Sequence, residues 1–269
     1  MSDITDLVNE HYGSDDLIGK VLADLREAGK DPDALTRDDL APFEEFHSGG
    51  RPTTHKLAKL LGLASGSRVL DVGSGLGGPA RTLAADYGCT VTGIDLTESF
   101  CRVAQTLTEL VGMSGVASFR HGSALDMPFG NHTFDVAWSQ HATMNIEDKD
   151  RLFSEIARIL RPGGMYAFQE VLSVDQGPTR FPLPWAANAS MNFTITPSET
   201  RNALTANGFV EHDWVDHSND VLSQANPQRT ASQGANPARH WTEKVRAENS
   251  MLEYEDGNLL LIRAVFERR

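Results

Sequence analysis

The sequence predicts an α/β fold built on a parallel sheet with helices on both faces. Three observations carry that prediction. Short β-branched runs alternate with helical periodicity from residue 68 onward, a glycine-rich turn joins the first such pair, and Arg161-Pro162-Gly163-Gly164 stops a helix before another apolar run. Parallel strands need a crossover between them, and each helical stretch is long enough to supply one.

In order, residues 1 to about 60 read as a helical cap, with Leu17, Ile18, Val21, Leu22 and Leu25 at helical spacing ahead of a break from Gly29 to Pro32. The segment Pro42 to Arg51 ends in the pair Gly49-Gly50, after which Thr53 or Thr54 is expected to cap a helix through Leu57, Leu60 and Leu61. Taken alone, Ser48 beside that pair reads equally as a flap over a ligand and as a helix connector. Strands are predicted at Arg68–Val72, Thr90–Ile94, Val116–His121, Phe134–Ser139 and Gly164–Val171, and helices at Pro79–Tyr87, Glu98–Val111 and Asp148–Leu160. A stretch with four prolines, Asp175 to Pro197, interrupts the rhythm before a helix that opens at Ser198 and ends at Gly208. Two further strands, Phe209–Asp216 and Asn258–Glu267, bracket a Gln/Asn-rich and then helical insert at about 219–251, which carries no evident chemistry.

Composition narrows the function. A chain of 269 residues that is 40% hydrophobic can bury one large core. A net charge of -13 with no Lys/Arg run argues against nucleic acid as a partner. Cys89 and Cys101 lack zinc or redox spacing and read as buried thiols, and the nine histidines show no paired ligand spacing, so no metal site is expected. The acidic N-terminus has no apolar segment behind it, which predicts a cytoplasmic protein without membrane insertion.

The chemistry starts at Asp71-Val72-Gly73-Ser74-Gly75-Leu76-Gly77-Gly78, a strand end running through a turn into a helix. Gly73, Gly75 and Gly77 lack a Cβ, so the backbone can turn sharply and approach a ligand. Gly73, Gly75 and Gly78 satisfy the dinucleotide pattern G-x-G-x-x-G literally, which makes a nicotinamide-linked dehydrogenase the first alternative. Against it, Asp71 occupies a strand end where that fold needs an apolar residue, and its carboxylate suits a cationic group or water. Asp95 ends the second strand, where it can accept from both hydroxyls of a ribose, a feature common to both readings.

The remaining motifs turn the choice. With Phe134-Asp135-Val136 and Leu160-Arg161-Pro162-Gly163-Gly164 following in order, the chain from about residue 46 to 216 resembles class I S-adenosylmethionine-dependent methyltransferases. The resemblance implies a Rossmann-like seven-stranded sheet, mostly parallel with the last strand antiparallel, in a domain at 61–269 preceded by a cap at 1–60. It implies S-adenosylmethionine as cofactor and S-adenosylhomocysteine as product. Gly73, Gly75 and Gly77 would pass under the cofactor, Asp71 would lie near its amino-acid moiety, and Asp95 with Leu96 would hold its ribose. The family's Gly-Asp-Ala after strand three is here Gly122-Ser123-Ala124-Leu125, so adenine would rest on Ser123, on backbone at Ala124 and on Leu125 packing. Phe46-His47-Ser48-Gly49-Gly50 is similar to the cofactor-closing segment of phosphoethanolamine and sarcosine/dimethylglycine N-methyltransferases, which adds Ser48 and Gly49, with Tyr12 as a second lid residue.

Methyl transfer from a sulfonium is an in-line displacement, in which the protein aligns the nucleophile and excludes water. Residues just after strand four, Ser139 to Ile146, reach the sheet edge beside the methyl group, so Ser139 joins the cofactor set. There His141 is the candidate base near neutral pH and Gln140 the candidate orienting group, the alternative being a His141 bonded to backbone. An insertion at about 172–197 resembles a substrate-covering loop. Phe181, Trp185, Met191 and Phe193, with Trp138, are expected to wall a pocket whose aromatic faces suit an amine, the alternative being a satellite core. Arg51 and Arg180 are the cations nearest a substrate carboxylate, with no fixed role. The expected function is small-molecule methylation, first of an amine such as sarcosine or dimethylglycine. The alternatives are C- or O-methylation of a lipophilic natural product or quinone-like ring, a non-catalytic cofactor-binding module and, last, the dehydrogenase. The expected partner is a small-molecule acceptor, and the expected assembly a monomer or homodimer.

Overall fold

The computed structural model describes residues 16–45, 47–175, 177–224 and 241–269. Tyr12, Phe46 and the middle of the 219–251 insert lie outside them. Seven strands form one sheet in the order β3-β2-β1-β4-β5-β7-β6. They are β1 (Arg68–Val72), β2 (Thr90–Asp95), β3 (Ala117–His121), β4 (Phe134–Gln140), β5 (Leu160–Ser173), β6 (Phe209–Asp216) and β7 (Leu259–Arg268). The first five pair in parallel, and β7 runs antiparallel to both β5 and β6.

Among the described residues three α-helices precede the sheet: α1 (Leu17–Glu27), α2 (Arg37–Glu44) and α3 (Gly50–Leu61). The crossovers use α4 (Gly78–Tyr87), α5 (Glu98–Leu110) and α6 (Lys149–Ile159), followed by α7 (Pro197–Ala206), α8 (Ser218–Gln224) and α9 (Trp241–Glu255). Two expectations need correcting. β5 begins at Leu160 rather than at Gly164, because Leu160 already pairs with Phe134 before a register shift carries the pairing to Val136 and Met165. Thr53 and Thr54 do not cap α3; the helix starts at Gly50, after Gly49 has turned at φ 84°, and both threonines are buried inside it. Only a residue without Cβ enters that left-handed conformation freely.

Strand alternation builds a core on each face. Leu70, Ala137, Phe168 and Phe266 point into one cluster, while Val69, Val136, Trp138, Ala167 and Val265 point into the other. The N-terminal helices dock through Val21, Leu25 and Leu40 onto Leu76, Val103 and Leu107, which places them against the glycine loop and α5. A further cluster of Val171, Leu183, Trp185, Val221 and Tyr254 joins the insertion after β5 to α8 and α9. Among the described residues no helix is long and apolar enough to cross a membrane.

Candidate active site

The strand order reverses between β1 and β4, and their carboxyl ends leave a crevice there, the usual ligand position in such sheets. A cavity of about 1310 Å³ opens at this point. Its floor is the β1–α4 loop, its sides are the ends of β2 and β4, and α1, the α2–α3 segment and α9 cover it.

Gly73 (φ 75°) and Gly75 (φ 51°) line the cavity. A Cβ on Gly73 would lie 2.5 Å from that of Ala142, so the loop and the turn after β4 touch at a point where no larger residue fits. Gly77 (φ 85°) has a different duty: a Cβ there would meet Phe119 Cζ at 2.5 Å and Arg81 Nη1 at 2.8 Å, so it permits packing behind the loop and does not border the cavity. Arg81, fully buried, bonds the Leu76 carbonyl at 2.5 Å and Thr108 Oγ1 at 2.6 Å and pairs with buried Glu44, fastening α2 to the loop.

Three carboxylates gather at the loop. Asp71 lies beneath it, 2% exposed, with Oδ2 lacking any hydrogen-bond partner. Burial, reinforced by the charges of Asp95 and Glu45, pushes its carboxyl up to about 8. Asp95 accepts from the N–H of Gly75 at 2.9 Å and of Thr97 at 2.8 Å; burial raises its carboxyl while those bonds oppose the rise. Glu45 lines the cavity, holds His47 Nε2 at 2.7 Å and leaves Oε1 without a hydrogen-bond partner. Glu45 has the Arg51 guanidinium 3.9 Å away, whereas Asp71 meets only like charge and stays protonated, so this corner suits a ligand that brings positive charge. Beyond it, Ile94, Leu96, Phe100, Ala124 and Leu125 line an apolar slot. Ser123 also lines it, with Oγ accepting from Leu125 N at 3.1 Å as a turn-former. An apolar slot, a ribose-facing carboxylate and an anionic corner together fit the adenosyl, ribosyl and amino-acid parts of S-adenosylmethionine.

From the cap, Ser48 reaches the cavity, whereas Gly49 does not and serves as the entry to α3. Gln140 lines the cavity with its amide committed elsewhere: Oε1 accepts from Trp138 Nε1 and from Thr54 Oγ1, both at 3.0 Å, and Nε2 lies 3.4 Å from His47 Nδ1. The orienting role expected of Gln140 toward a substrate therefore has no free acceptor behind it. His141 lines the cavity in the left-handed region (φ 54°), its N–H bonded to the Gln169 carbonyl at 2.9 Å and its Nε2 without a partner. Desolvation and then neighbouring His47 push its imidazole down to about 3, which corrects the expectation of a base near neutral pH: the ring is neutral and weakly basic.

The period of β4 explains two further corrections. Trp138 is fully buried among Leu57, Val69 and Val136 on the far side of the sheet and walls no pocket. Ser139 points the other way, also fully buried, and bonds Tyr166 Oη at 2.9 Å and Glu170 Oε1 at 2.7 Å. In the insertion, Trp185 reaches the cavity, while Phe181 and Met191 pack against the cluster behind it. Phe193 fastens the segment by backbone, its N–H to the Met144 carbonyl at 3.0 Å and its carbonyl to Lys149 Nζ at 2.7 Å. Arg51 is taken by Asp38 at 2.5 Å, and Arg180 by Glu253 at 2.9 Å and Asp256 at 2.6 Å.

Two contributors carry no assigned role in the sequence analysis: Glu45, one residue ahead of the Phe46–Gly50 stretch, and the whole of α9. Arg246, Ser250, Met251 and Tyr254 of that helix line the cavity opposite Met144 and Val171. Their spacing, with Ser250 and Tyr254 four apart, is the one local signal that they share a face.

Residues 70–168 match the family described as a methyltransferase domain. Glycine/sarcosine/dimethylglycine N-methyltransferase of Actinopolyspora halophila is 29% identical over 175 residues, covering 65% of this chain and 31% of that protein. Sterol 24-C-methyltransferase ERG6B of Gibberella zeae is 37% identical over 121 residues, covering 45% of this chain and 32% of that protein. The chain thus spans about a third of the length of either relative. Among solved structures, geranyl diphosphate C-methyltransferase from Streptomyces coelicolor A3(2) superposes with a TM-score of 0.75 at 20% identity, covering 100% of this chain and 98% of that one.

Proposed function

Since this chain carries a class I S-adenosylmethionine-dependent methyltransferase domain, we propose that it methylates a small molecule with an apolar body larger than a glycine derivative. The observation that carries this reading is the size and lining of the cavity. At about 1310 Å³ it exceeds the roughly 300–1,000 Å³ of a site for one small ligand, which leaves room for an acceptor beside the cofactor, and the walls beyond the anionic corner include Met144, Val171, Trp185, Val221 and Met251. A glycine derivative would leave much of that apolar wall uncovered.

The cofactor supplies a methyl group on a sulfonium, which leaves S-adenosylhomocysteine behind. Asp71 and Glu45 would offer it counter-charge, Asp95 would accept from its ribose hydroxyls, Ser123 to Leu125 would border its adenine, and Ser48 would close over it from the cap. On the acceptor side the protein aligns and desolvates. His141, held neutral, is too weak a base to ionise a hydroxyl in advance. The acceptor is therefore nucleophilic as it stands, at an alkene carbon or a neutral amine; after the transfer an alkene-derived cation or a methylated primary or secondary amine releases one proton to water, and a tertiary amine releases none.

N-methylation of a glycine derivative is the second reading, favoured by Arg246 at the cavity wall and by the aromatic faces of Trp185 and Tyr254. Incubation with S-adenosylmethionine and, separately, linear isoprenoids, a sterol, sarcosine and dimethylglycine separates the readings by product mass. A methylated isoprenoid or sterol supports the first and a methylated glycine derivative the second. S-adenosylhomocysteine binding without any product would identify a non-catalytic module.

A further inference from the structure

We propose that Glu170 is a positioning residue for the transfer, acting with Lys149 to hold the turn from Ala142 to Ile146 against the glycine loop. Glu170 stands near the end of β5 and is 1% exposed. Its Oε2 accepts from the N–H groups of Ala142 and Thr143, each at 3.0 Å, and its Oε1 from Ser139 Oγ at 2.7 Å. At the other end of the same turn, Lys149 Nζ donates to the carbonyls of Thr143 at 2.9 Å, of Ile146, and of Phe193 at 2.7 Å.

The turn, a single 3₁₀ winding at Thr143–Asn145, is thus capped by an anion where N–H groups are orphaned and by a cation where carbonyls are. That polarity matches its dipole. What the turn carries gives the arrangement its consequence. Ala142 is the residue that a Cβ on Gly73 would strike, and His141 and Met144 line the cavity on either side of it. One displacement of this turn moves the floor of the cofactor lobe and the wall of the acceptor lobe together. The preceding residue adds a second grip, since the Gln169 carbonyl holds His141 N at 2.9 Å and its Nε2 holds the Ser48 carbonyl at 3.0 Å.

A serine or asparagine could cap one turn without burying a charge, so a carboxylate at 1% exposure is a costly choice for structure alone. Around it stand the hydroxyls of Ser139 and Tyr166 from β4 and β5, the two amides of the turn, and the ammonium of Lys149 from α6. Burial lifts its carboxyl to about 7, and burial lowers Lys149 to about 8. Above about 7 the carboxylate accepts from both amides. As pH falls through that value a proton takes up acceptor capacity and the grip weakens.

The test uses the full chain with S-adenosylhomocysteine as the probe, so that no acceptor is required. In ¹⁵N-resolved NMR spectra, the amides of Ala142 and Thr143 titrate together with a midpoint near 7, and Glu170→Gln abolishes that titration. At alkaline pH Glu170→Gln binds S-adenosylhomocysteine about tenfold more weakly than wild type by calorimetry, and the two converge in acid. Ser139→Ala, which removes one bond to the anion, moves the midpoints of the amide and affinity curves upward in parallel. Wild-type affinity in Glu170→Gln at alkaline pH would overturn the proposal. So would amides that do not titrate, or an affinity midpoint that ignores Ser139→Ala and so belongs to another group such as Asp71. Should Glu170→Gln fail to fold, the wild-type and Ser139→Ala curves decide the matter alone.

Discussion

Replacing Asp71 with asparagine should stabilise the ligand-free protein while weakening its hold on the cofactor. Asp71 is fully enclosed, and its carboxyl sits at about 8 against an ordinary value of 3.8. At pH 7 the folded protein therefore keeps it protonated, whereas the unfolded chain releases the proton. Holding that proton costs the folded state about 4 kcal/mol at 1.36 kcal/mol per pH unit, an upper bound because the surroundings can relax. The sign follows from the raised value: the native state binds the proton more tightly, so this group favours folding below about pH 4. Its contribution declines as pH rises to about 8 and is constant above. Asp71→Asn, nearly isosteric and uncharged, removes that slope. Urea denaturation at pH 5, 7 and 8.5 should show the variant gaining on wild type at each step. The melting temperature at pH 7 should rise by up to about 10 °C. Affinity for S-adenosylhomocysteine should fall at least about tenfold, because Asp71 can give up its proton when the ligand's cationic amine arrives and asparagine cannot supply that charge. A stability difference that does not change with pH, or a variant less stable than wild type at pH 8.5, would refute the account of Asp71 as a strained, unpartnered carboxylate.

Two other substitutions probe the frame around the loop. Gly73→Ala places a Cβ 2.5 Å from Ala142 at a φ of 75°, and the conformational cost alone is about 1–2 kcal/mol; a lowered melting temperature with loss of S-adenosylhomocysteine binding is expected, and wild-type values for both would show that the loop and turn are not in contact. Glu44→Ala leaves the Arg81 guanidinium buried without its anion and should cost about 3–5 kcal/mol by chemical denaturation, most of it recovered in the double variant Glu44→Leu, Arg81→Met.

Much of the frame was legible one stretch at a time. The β-branched run at Val69–Val72 alternates because successive side chains face opposite sides of a sheet, and Gly73 and Gly75 break it because the chain must enter the left-handed region there. Asp71 and Asp95 could be picked out for the same reason, since a carboxylate at a buried strand end is conspicuous against its neighbours. Such signals are local. They depend on backbone geometry over a few residues and survive in a string of letters.

The tertiary structure decided which side of each element meets the cavity. Period two told that Trp138 and Ser139 point to opposite faces of β4, but both faces are covered by helices, so neither residue reaches a ligand. Gln140 is silenced by Trp138 and Thr54, and the Thr54 contact closes over a separation of 86 residues. Tyr254 and Ser250 enter the cavity wall only because α9, which leads into β7, packs back against α8 and β7, and Glu170 grips the Ala142 turn only because β5 lies beside β4. The sequence by itself determined the strand, turn and helix grammar that makes the cofactor cradle, because each part rests on local conformational preference. The far wall of the cavity is assembled from segments distant in sequence, and its lining follows from long-range packing.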